Sequence, residues 1–195
     1  MKVLGLMSGT SMDGLDCSYV NIEITNNLEL EYEIIEFILF PFPDSLKKAI
    51  VDIIGSNDNE KINKVHDDIG HFFVKCCKII LKDRNIEIIS MHGQTISHID
   101  GISSRQIGNP EFLNFFFNVP IIYNFRNKDI QLGGRGAPLI PFLDWLLYKH
   151  MNVGVLTLNL GGISNLTFIP QNCNRESVLG FDAGPGMCLI DQYSK

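Results

Sequence analysis

Apolar residues over the first forty positions fall in short runs divided by polar turns, the signature of extended chain. Val3 to Met7, Leu15 to Thr25 and Leu28 to Phe40 read as three strands of an antiparallel meander, with Asn26-Asn27 as a tight turn. Pro41 and Pro43 end the third strand, and Asp44 or Ser45 is placed to cap a short helix through Ile54 before Gly55 to Asn59 breaks it. The period then changes. Ile62, Val65, Ile69, Phe72, Cys76 and Ile79 recur every three or four residues and predict a long amphipathic helix, with Lys64, Asp67, Asp68, Lys75 and Lys78 elsewhere on its wheel. His66 and His71, five apart, are poorly spaced to share a metal and fall on its flanks.

A buried-type strand, Ile86 to Met91, runs straight into His92-Gly93-Gln94-Thr95; Asp100-Gly101 then supplies a hairpin turn before Ser103 to Ile107. Pro110 suits the first turn of a helix reaching Asn118, whose Phe115-Phe116-Phe117 run reads as core. An apolar strand, Pro120 to Phe125, ends at Arg126. Nine of the seventeen glycines lie from Gly133 onward, so tight turns crowd the last third and a boundary is expected near Asp129 to Gly136. That divides the chain into a lobe of residues 1–131 and a second unit of residues 132–195. The second unit reads as a helix from Pro141 to His150, strands Val153 to Asn159, Ile163 to Phe168 and Val178 to Phe181, and the start of a helix after Gly186.

Composition narrows the class. A chain of 195 residues can bury roughly 70% of its unfolded surface, and 45% hydrophobic against 19% charged residues excludes disorder as the main state. A net charge of -6 without a basic patch argues against a nucleic-acid partner. No apolar run approaches the roughly 18 residues a membrane span needs, so no membrane partner is expected. Cys17, Cys76, Cys77, Cys173 and Cys188 are odd in number and lack C-x-x-C spacing, which suits reduced thiols in a cytoplasm.

Three glycine-bearing segments are candidates for chemistry. Ser8 to Gly14 joins two strands with small residues, hydroxyls and one carboxylate; its amides can converge on phosphate, and Asp13 can hold Mg²⁺. An ordinary hairpin loop is the plain alternative, and no G-K-[ST] follows to make it a P-loop. Asn159 to Asn165 repeats the design around Gly161-Gly162, suggesting one phosphate chain clamped from two sides. Gly180 to Gly186 places Asp182 at a strand end beside open space, as a candidate general base or else a helix cap. His92 and Gln94 can hydrogen-bond a sugar hydroxyl or acyl group, and Arg126 suits a carboxylate or phosphate, or a surface ion pair.

Taken together, Gly5 to Asp16, His92 to Thr95, Gln106 to Gly108, Asn124 to Arg126 with Asp129-Ile130, Gly133 to Leu139, Asn159 to Asn165 and Gly180 to Gly186 resemble the anhydro-N-acetylmuramic acid kinases, sugar kinases of the actin/hexokinase/Hsp70-like superfold. The segments occur in the family's order across essentially the whole chain. The resemblance implies an α/β fold of the actin-like ATPase (ribonuclease H-like) type, with a first lobe over residues 1–131 that lacks its closing segment and a second lobe only begun. It implies ATP-dependent phosphorylation of O6 of 1,6-anhydro-N-acetylmuramic acid, with water opening the anhydro ring to give N-acetylmuramic acid 6-phosphate, in peptidoglycan recycling. By position it assigns the ATP phosphates to Gly9, Thr10, Ser11, Met12, Asp13, Gly14, Leu15 and Asp16 and to Gly161, Gly162, Ser164 and Asn165. It assigns water activation to Asp182, the amino sugar to His92, Gln94 and Arg126, and Mg²⁺ to Asp13.

The chain departs from the family pattern at Asn124, where Asp is usual, at Arg135, where Gln is usual, at Ala183, where Thr is usual, and at Met187, where Asn is usual. Family chains are also about twice as long. The expectation is therefore an N-terminal portion that retains the phosphate loops and base, with a complementary C-terminal segment and a homodimer as candidate partners. The rival is a non-catalytic, sugar-binding remnant without an adenosine site.

Overall fold

The structure, a computed structural model, describes residues 1–9 and 11–194. Strands β1 (Lys2–Ser8), β2 (Gly14–Ile24) and β3 (Leu30–Pro41) form the expected meander, with Leu4 opposite Tyr19 and Cys17 opposite Ile38. Alternation decides which side is covered. Leu4, Leu6, Leu15 and Cys17 face one layer of helices and are buried.

That layer begins with α1 (Asp44–Ile53), whose N-cap is Pro43 and carries no side-chain bond, so neither Asp44 nor Ser45 is the cap expected from sequence. Helix α2 (Asn59–Leu81) is capped by Asp58, which accepts the Lys61 amide at 3.2 Å. Its buried face begins at Ile62, Val65 and Ile69 as expected, then passes through Phe73, Cys77 and Ile80 rather than Phe72 and Ile79. Five helical turns take about 18 residues, so Ile80 returns to the azimuth of Ile62 while Ile79 falls short and is exposed.

Strand β4 (Ile88–Ile99) runs through His92 to Thr95 and lies parallel to β1. Its other edge is shared: β6 (Ile121–Tyr123) pairs in parallel along Ile89 to Met91, and β5 (Ser103–Ile107) pairs antiparallel from Gln94 onward. The sheet order is β3-β2-β1-β4-β5, with β6 beside the start of β4. Between β5 and β6 lies α3 (Pro110–Phe117), capped by Asn109. Leu113 is fully buried, but Phe115 and Phe116 are exposed, which overturns the reading of the Phe run as core; Phe117 alone packs partly against it. The strand expected to end at Arg126 stops at Tyr123. Asn124 adopts a left-handed conformation (φ 63°), which Asn tolerates, and turns the chain into α4 (Phe125–Gln131), so Arg126 sits on a helix.

The second unit holds α5 (Ile140–Tyr148), the antiparallel sheet β7 (Val155–Leu160), β8 (Ile163–Ile169) and β9 (Leu179–Pro185), and α6 (Met187–Tyr193). Its own core is small: Trp145, Leu146 and Ile169. Buried Asp144 on α5 accepts the Thr157 hydroxyl at 2.6 Å, fixing α5 to one face of this sheet. The two units touch where buried Lys149 donates to the Leu28 carbonyl (2.6 Å) and to Glu29 (3.2 Å) at the β2–β3 turn. The chain is thus α/β, with one mixed sheet and one antiparallel sheet, and none of its described helices is long and apolar enough to cross a membrane.

Candidate active site

The first site feature follows from the change of partner along β4. Met91 pairs with Tyr123 of β6 and Gln94 pairs with Ile107 of β5, so His92 and Gly93 lie where one neighbour ends and the other begins. A cavity of about 190 Å³ opens at this break, lined by His66, Met91, His92, Gly93, Gln106, Ile107, Gly108, Pro110, Tyr123 and Asn124. It lies midway along β4, at the carboxyl end of β6 and of the stretch of β4 that runs parallel to it, and the carboxyl ends of parallel strands in open α/β sheets commonly hold ligands. Gly93 is required here: its φ is +76°, and a Cβ would lie 2.8 Å from the Ile107 carbonyl oxygen.

His92 and Arg126 form a fixed pair at the cavity. Nδ1–H of His92 donates to the Gly93 carbonyl (2.7 Å), and Arg126 Nε–H donates to His92 Nε2 (2.9 Å), an arrangement that requires the neutral imidazole. Burial, and then the Arg126 charge, hold the His92 pKa below its ordinary value. The same guanidinium donates through Nη1 to the Gly136 carbonyl (2.7 Å), while Asp129 accepts the Gly136 amide at Oδ2 (2.7 Å). Burial lowers the Arg126 pKa, and the Asp182 carboxylate acts in the opposite direction, which brings the candidate base of the second unit into the electrostatic field of the cavity.

Gln94 occupies a different place from the one expected. It is fully buried, outside the cavity lining, with Oε1 accepting the Ser8 hydroxyl (2.5 Å) and Nε2 donating to the Gly9 carbonyl (3.1 Å) and the Thr95 carbonyl (3.2 Å). Its amide is committed to holding the start of the first glycine loop. Within that loop Met12 has φ 55° and donates its amide to the Gly9 carbonyl (3.2 Å), Ser11 is exposed, and Gly14 abuts the Phe40 carbonyl too closely for a Cβ. The Leu15 side chain is wholly in the core, so only its backbone is at the loop's edge. Thr10 lies outside the described residues.

Asp13 is exposed and 3.9 Å from Lys47. Asp16 has its pKa raised by burial and then by the Asp13 charge, which places the two carboxylates within each other's field. Among the described residues no three His, Cys, Asp or Glu side chains converge as a metal cage. Magnesium is commonly held by one or two carboxylates together with phosphate oxygens and water, and the exposed Asp13 carboxylate is a donor of that type.

The second glycine turn is braced by the start of α6. Gly186 donates its amide to the Gly162 carbonyl (3.0 Å) and Met187 to the Gly161 carbonyl (2.8 Å). Because both peptides are trans, the Gly162 and Ile163 N–H groups point the opposite way, off the α6 side. Ser164 is buried and gives its hydroxyl to the Gly184 carbonyl (3.0 Å). Asn159, Asn165 and Asp182 form one cross-strand row, and Asn165 Oδ1 is buried without a partner, an acceptor left over beside the turn. Asp182 stands within β9 and is exposed, rather than at a strand end.

Sequence reading missed His66 and Gln106. His66, placed on a helix flank, accepts the Gly108 amide at Nδ1 (3.1 Å) and lines the cavity. Gln106 donates to the Thr95 and Ser104 hydroxyls (3.2 and 2.7 Å). The signal for His66 was its polar interruption of the apolar face of α2, next to Val65. Of the departures, Arg135 makes an exposed 3.7 Å ion pair with Asp100, and Asn124 supplies the left-handed turn before α4.

Comparison with known proteins gives a consistent picture. The family profile described as anhydro-N-acetylmuramic acid kinase matches residues 1–195. A Bacillus cereus protein named anhydro-N-acetylmuramic acid kinase is 36% identical over 98% of this chain and 52% of its own length. A protein of the same name from Caldanaerobacter subterraneus subsp. tengcongensis is 34% identical over 99% of this chain and 52% of its own length. The chain therefore spans about half the length of these relatives.

Proposed function

The chain belongs to the anhydro-N-acetylmuramic acid kinase family, and we propose that its glycine turns and the cavity at the break in β4 bring ATP and 1,6-anhydro-N-acetylmuramic acid together for transfer of the γ-phosphoryl group to O6. The observation that supports this most is the cavity lined by hydrogen-bonding groups, where Arg126 fixes the His92 ring by a 2.9 Å hydrogen bond. The wider fold consistent with this reading is the actin-like ATPase fold, of which residues 1–131 would form the first lobe and residues 132–195 the beginning of the second.

The residue roles are those the family resemblance assigns, and the following contacts support them. The first loop, held by Gln94 through Ser8 and Gly9, and the Gly161-Gly162 turn, braced by α6, would present amides to the phosphates, where positioning and charge neutralisation do most of the work. When bound through Asp13, Mg²⁺ would supply charge neutralisation at the phosphate oxygens. His92 and Arg126 would orient the sugar, and Gln94 would position the loop. Asp182 would take a proton from water as the water oxygen bonds to the anomeric carbon. The bond from that carbon to O6 breaks, O6 receives the phosphoryl group, and the products are N-acetylmuramic acid 6-phosphate and ADP. Such a step belongs to cytoplasmic peptidoglycan recycling.

The test incubates the chain with Mg-ATP and the anhydro sugar and detects the 6-phosphate by mass. Asp182→Asn should lower the rate at least about 10²-fold while leaving the fold intact, because the side chain is exposed. Parent-like turnover removes Asp182 from the base role. Sugar binding without product, alone and with the complementary half of a relative added, replaces the kinase reading with that of a sugar-binding remnant.

A further inference from the structure

The cavity at the break in β4 has a volume of about 190 Å³, below the roughly 300–1,000 Å³ of pockets that enclose a whole small ligand, so it is sized for one substituent of a ligand. Two side chains of its lining, His66 and Gln106, each keep one hydrogen-bonding position that the protein does not fill.

His66 is locked in place by its neighbours. The Gly108 amide donates to Nδ1 (3.1 Å), the Asn109 amide donates to the His66 carbonyl (2.9 Å), and Asn109 Nδ2 donates to Asp67 Oδ1 (2.8 Å). A neutral imidazole that accepts at Nδ1 carries its proton on Nε2. Among the described residues no protein group accepts that Nε2–H. Gln106 is the complement. Its Nε2 donates to the Thr95 and Ser104 hydroxyls, which fixes the orientation of the amide, and its Oε1 is buried without a partner. A buried acceptor left unpaired is costly, and a ligand that supplies the donor removes that cost.

The two groups reach the cavity from opposite sides of the sheet. Ile107 packs into the core beneath α2, the helix that carries His66, so Gln106, one residue earlier on β5, faces the other way. A donor on one side and an acceptor on the other match a trans secondary amide, whose C=O and N–H point in opposite directions. A carboxylate has no proton for Gln106, and a hydroxyl presents both functions at a single atom. The apolar Met91 and Pro110 in the same wall suit the methyl of an acetyl group. We propose that His66 and Gln106 form an N-acyl recognition site, in which His66 Nε2–H donates to the acetamido carbonyl of the amino sugar and the acetamido N–H donates to Gln106 Oε1. The assignment rests on the cavity being the amino-sugar site, but it is measured by binding without ATP, so a chain that binds the acetamido group and makes no 6-phosphate fails the kinase reading alone.

The probes are 1,6-anhydro-N-acetylmuramic acid and two counterparts with a hydroxyl or an acetoxy group in place of the acetamido group; the acetoxy sugar keeps the carbonyl and lacks the N–H. Calorimetry on the full chain should rank the acetamido sugar at least about fivefold tighter than either. His66→Asn retains an acceptor at the Nδ1 position for the Gly108 amide but loses the outer N–H, and should shrink the acetamido-to-hydroxyl ratio at least about threefold. Gln106→Leu should likewise shrink the acetamido-to-acetoxy ratio. A purely structural role would weaken all three sugars equally, and that result overturns the proposal. The parent supplies a second reading that needs no variant. In ¹⁵N-histidine spectra His66 should be the Nε2–H tautomer, and its Nε2 proton should shift when the acetamido sugar is added. An Nδ1–H tautomer, an unmoved resonance, or no binding of the acetamido sugar at millimolar concentration each overturns the assignment.

Discussion

Arg126 donates a 2.9 Å hydrogen bond from Nε to Nε2 of His92, so a cation holds a partly buried imidazole in its neutral form. Protonating His92 would remove the acceptor and set two positive charges against each other. Its folded pKa lies below the ordinary 6.5, through burial first and Arg126 second, and His66 is lowered too, chiefly by burial. The unfolded chain therefore takes up protons before the native state does. Stability from these histidines is fully present above about pH 6.5 and is lost as the pH falls below it toward the folded values. The thermal midpoint should drop between about pH 7 and pH 5, and His92→Asn should flatten part of that slope. Equal slopes in the two proteins would contradict the assignment.

Gln94 uses both its amide N–H groups, on the Gly9 and Thr95 carbonyls, and its Oε1, on the Ser8 hydroxyl. Gln94→Leu keeps the approximate volume but leaves the buried Ser8 hydroxyl without its acceptor and the Gly9 carbonyl without one of its donors. We expect a loss of about 2–3 kcal/mol in urea denaturation, with faster amide exchange across residues 9 and 11–13. Unchanged exchange in that loop would show that Gln94 does not hold it.

The two glycines of the second site differ sharply in tolerance. A Cβ on Gly186 would overlap the Gly161 carbonyl oxygen, whereas a Cβ on Gly161 meets only Ile163 O, at 3.5 Å. Gly186→Ala should destabilise the second unit by about 1–3 kcal/mol, and Gly161→Ala by less than about 1 kcal/mol, measured by thermal denaturation.

Cysteine reactivity should divide by burial. Cys17, Cys76 and Cys77 are buried and their pKa values are pushed up by burial, Cys76 to about 12. Cys173 and Cys188 are partly exposed. Brief alkylation of the native protein near neutral pH, read by mass, should label the latter two and spare the first three.

Phe115 is 80% exposed and Leu113 fully buried on the same helix. Phe115→Ala should change stability by less than about 0.5 kcal/mol, and Leu113→Ala should cost about 2–5 kcal/mol.

These contrasts show which features the sequence carries. The meander, α2, the β4–β5 hairpin and both glycine turns were legible because periodicity and turn residues are local properties. The Phe run misled because hydrophobicity does not say which side of an eight-residue helix meets the core; Leu113 and Phe112 take that side. Arg126 was placed on a strand because nothing local announces the left-handed Asn124 that starts α4. The site was half legible. Its glycines stood out, but the inward commitment of Gln94 and Ser164, and the arrival of His66 at the cavity, depend on contacts between residues 20 to 86 positions apart.

The connection between the units runs through Gly136, whose carbonyl is bonded to Arg126 and whose amide is bonded to Asp129. Only two hydrogen bonds thus separate the connector from the His92 ring. Any swing of the second sheet about this point exerts torque on the guanidinium, and the imidazole must follow or release it. Arg126 is in that sense a linkage, with the connector on one side of its guanidinium and a side chain of the cavity wall on the other.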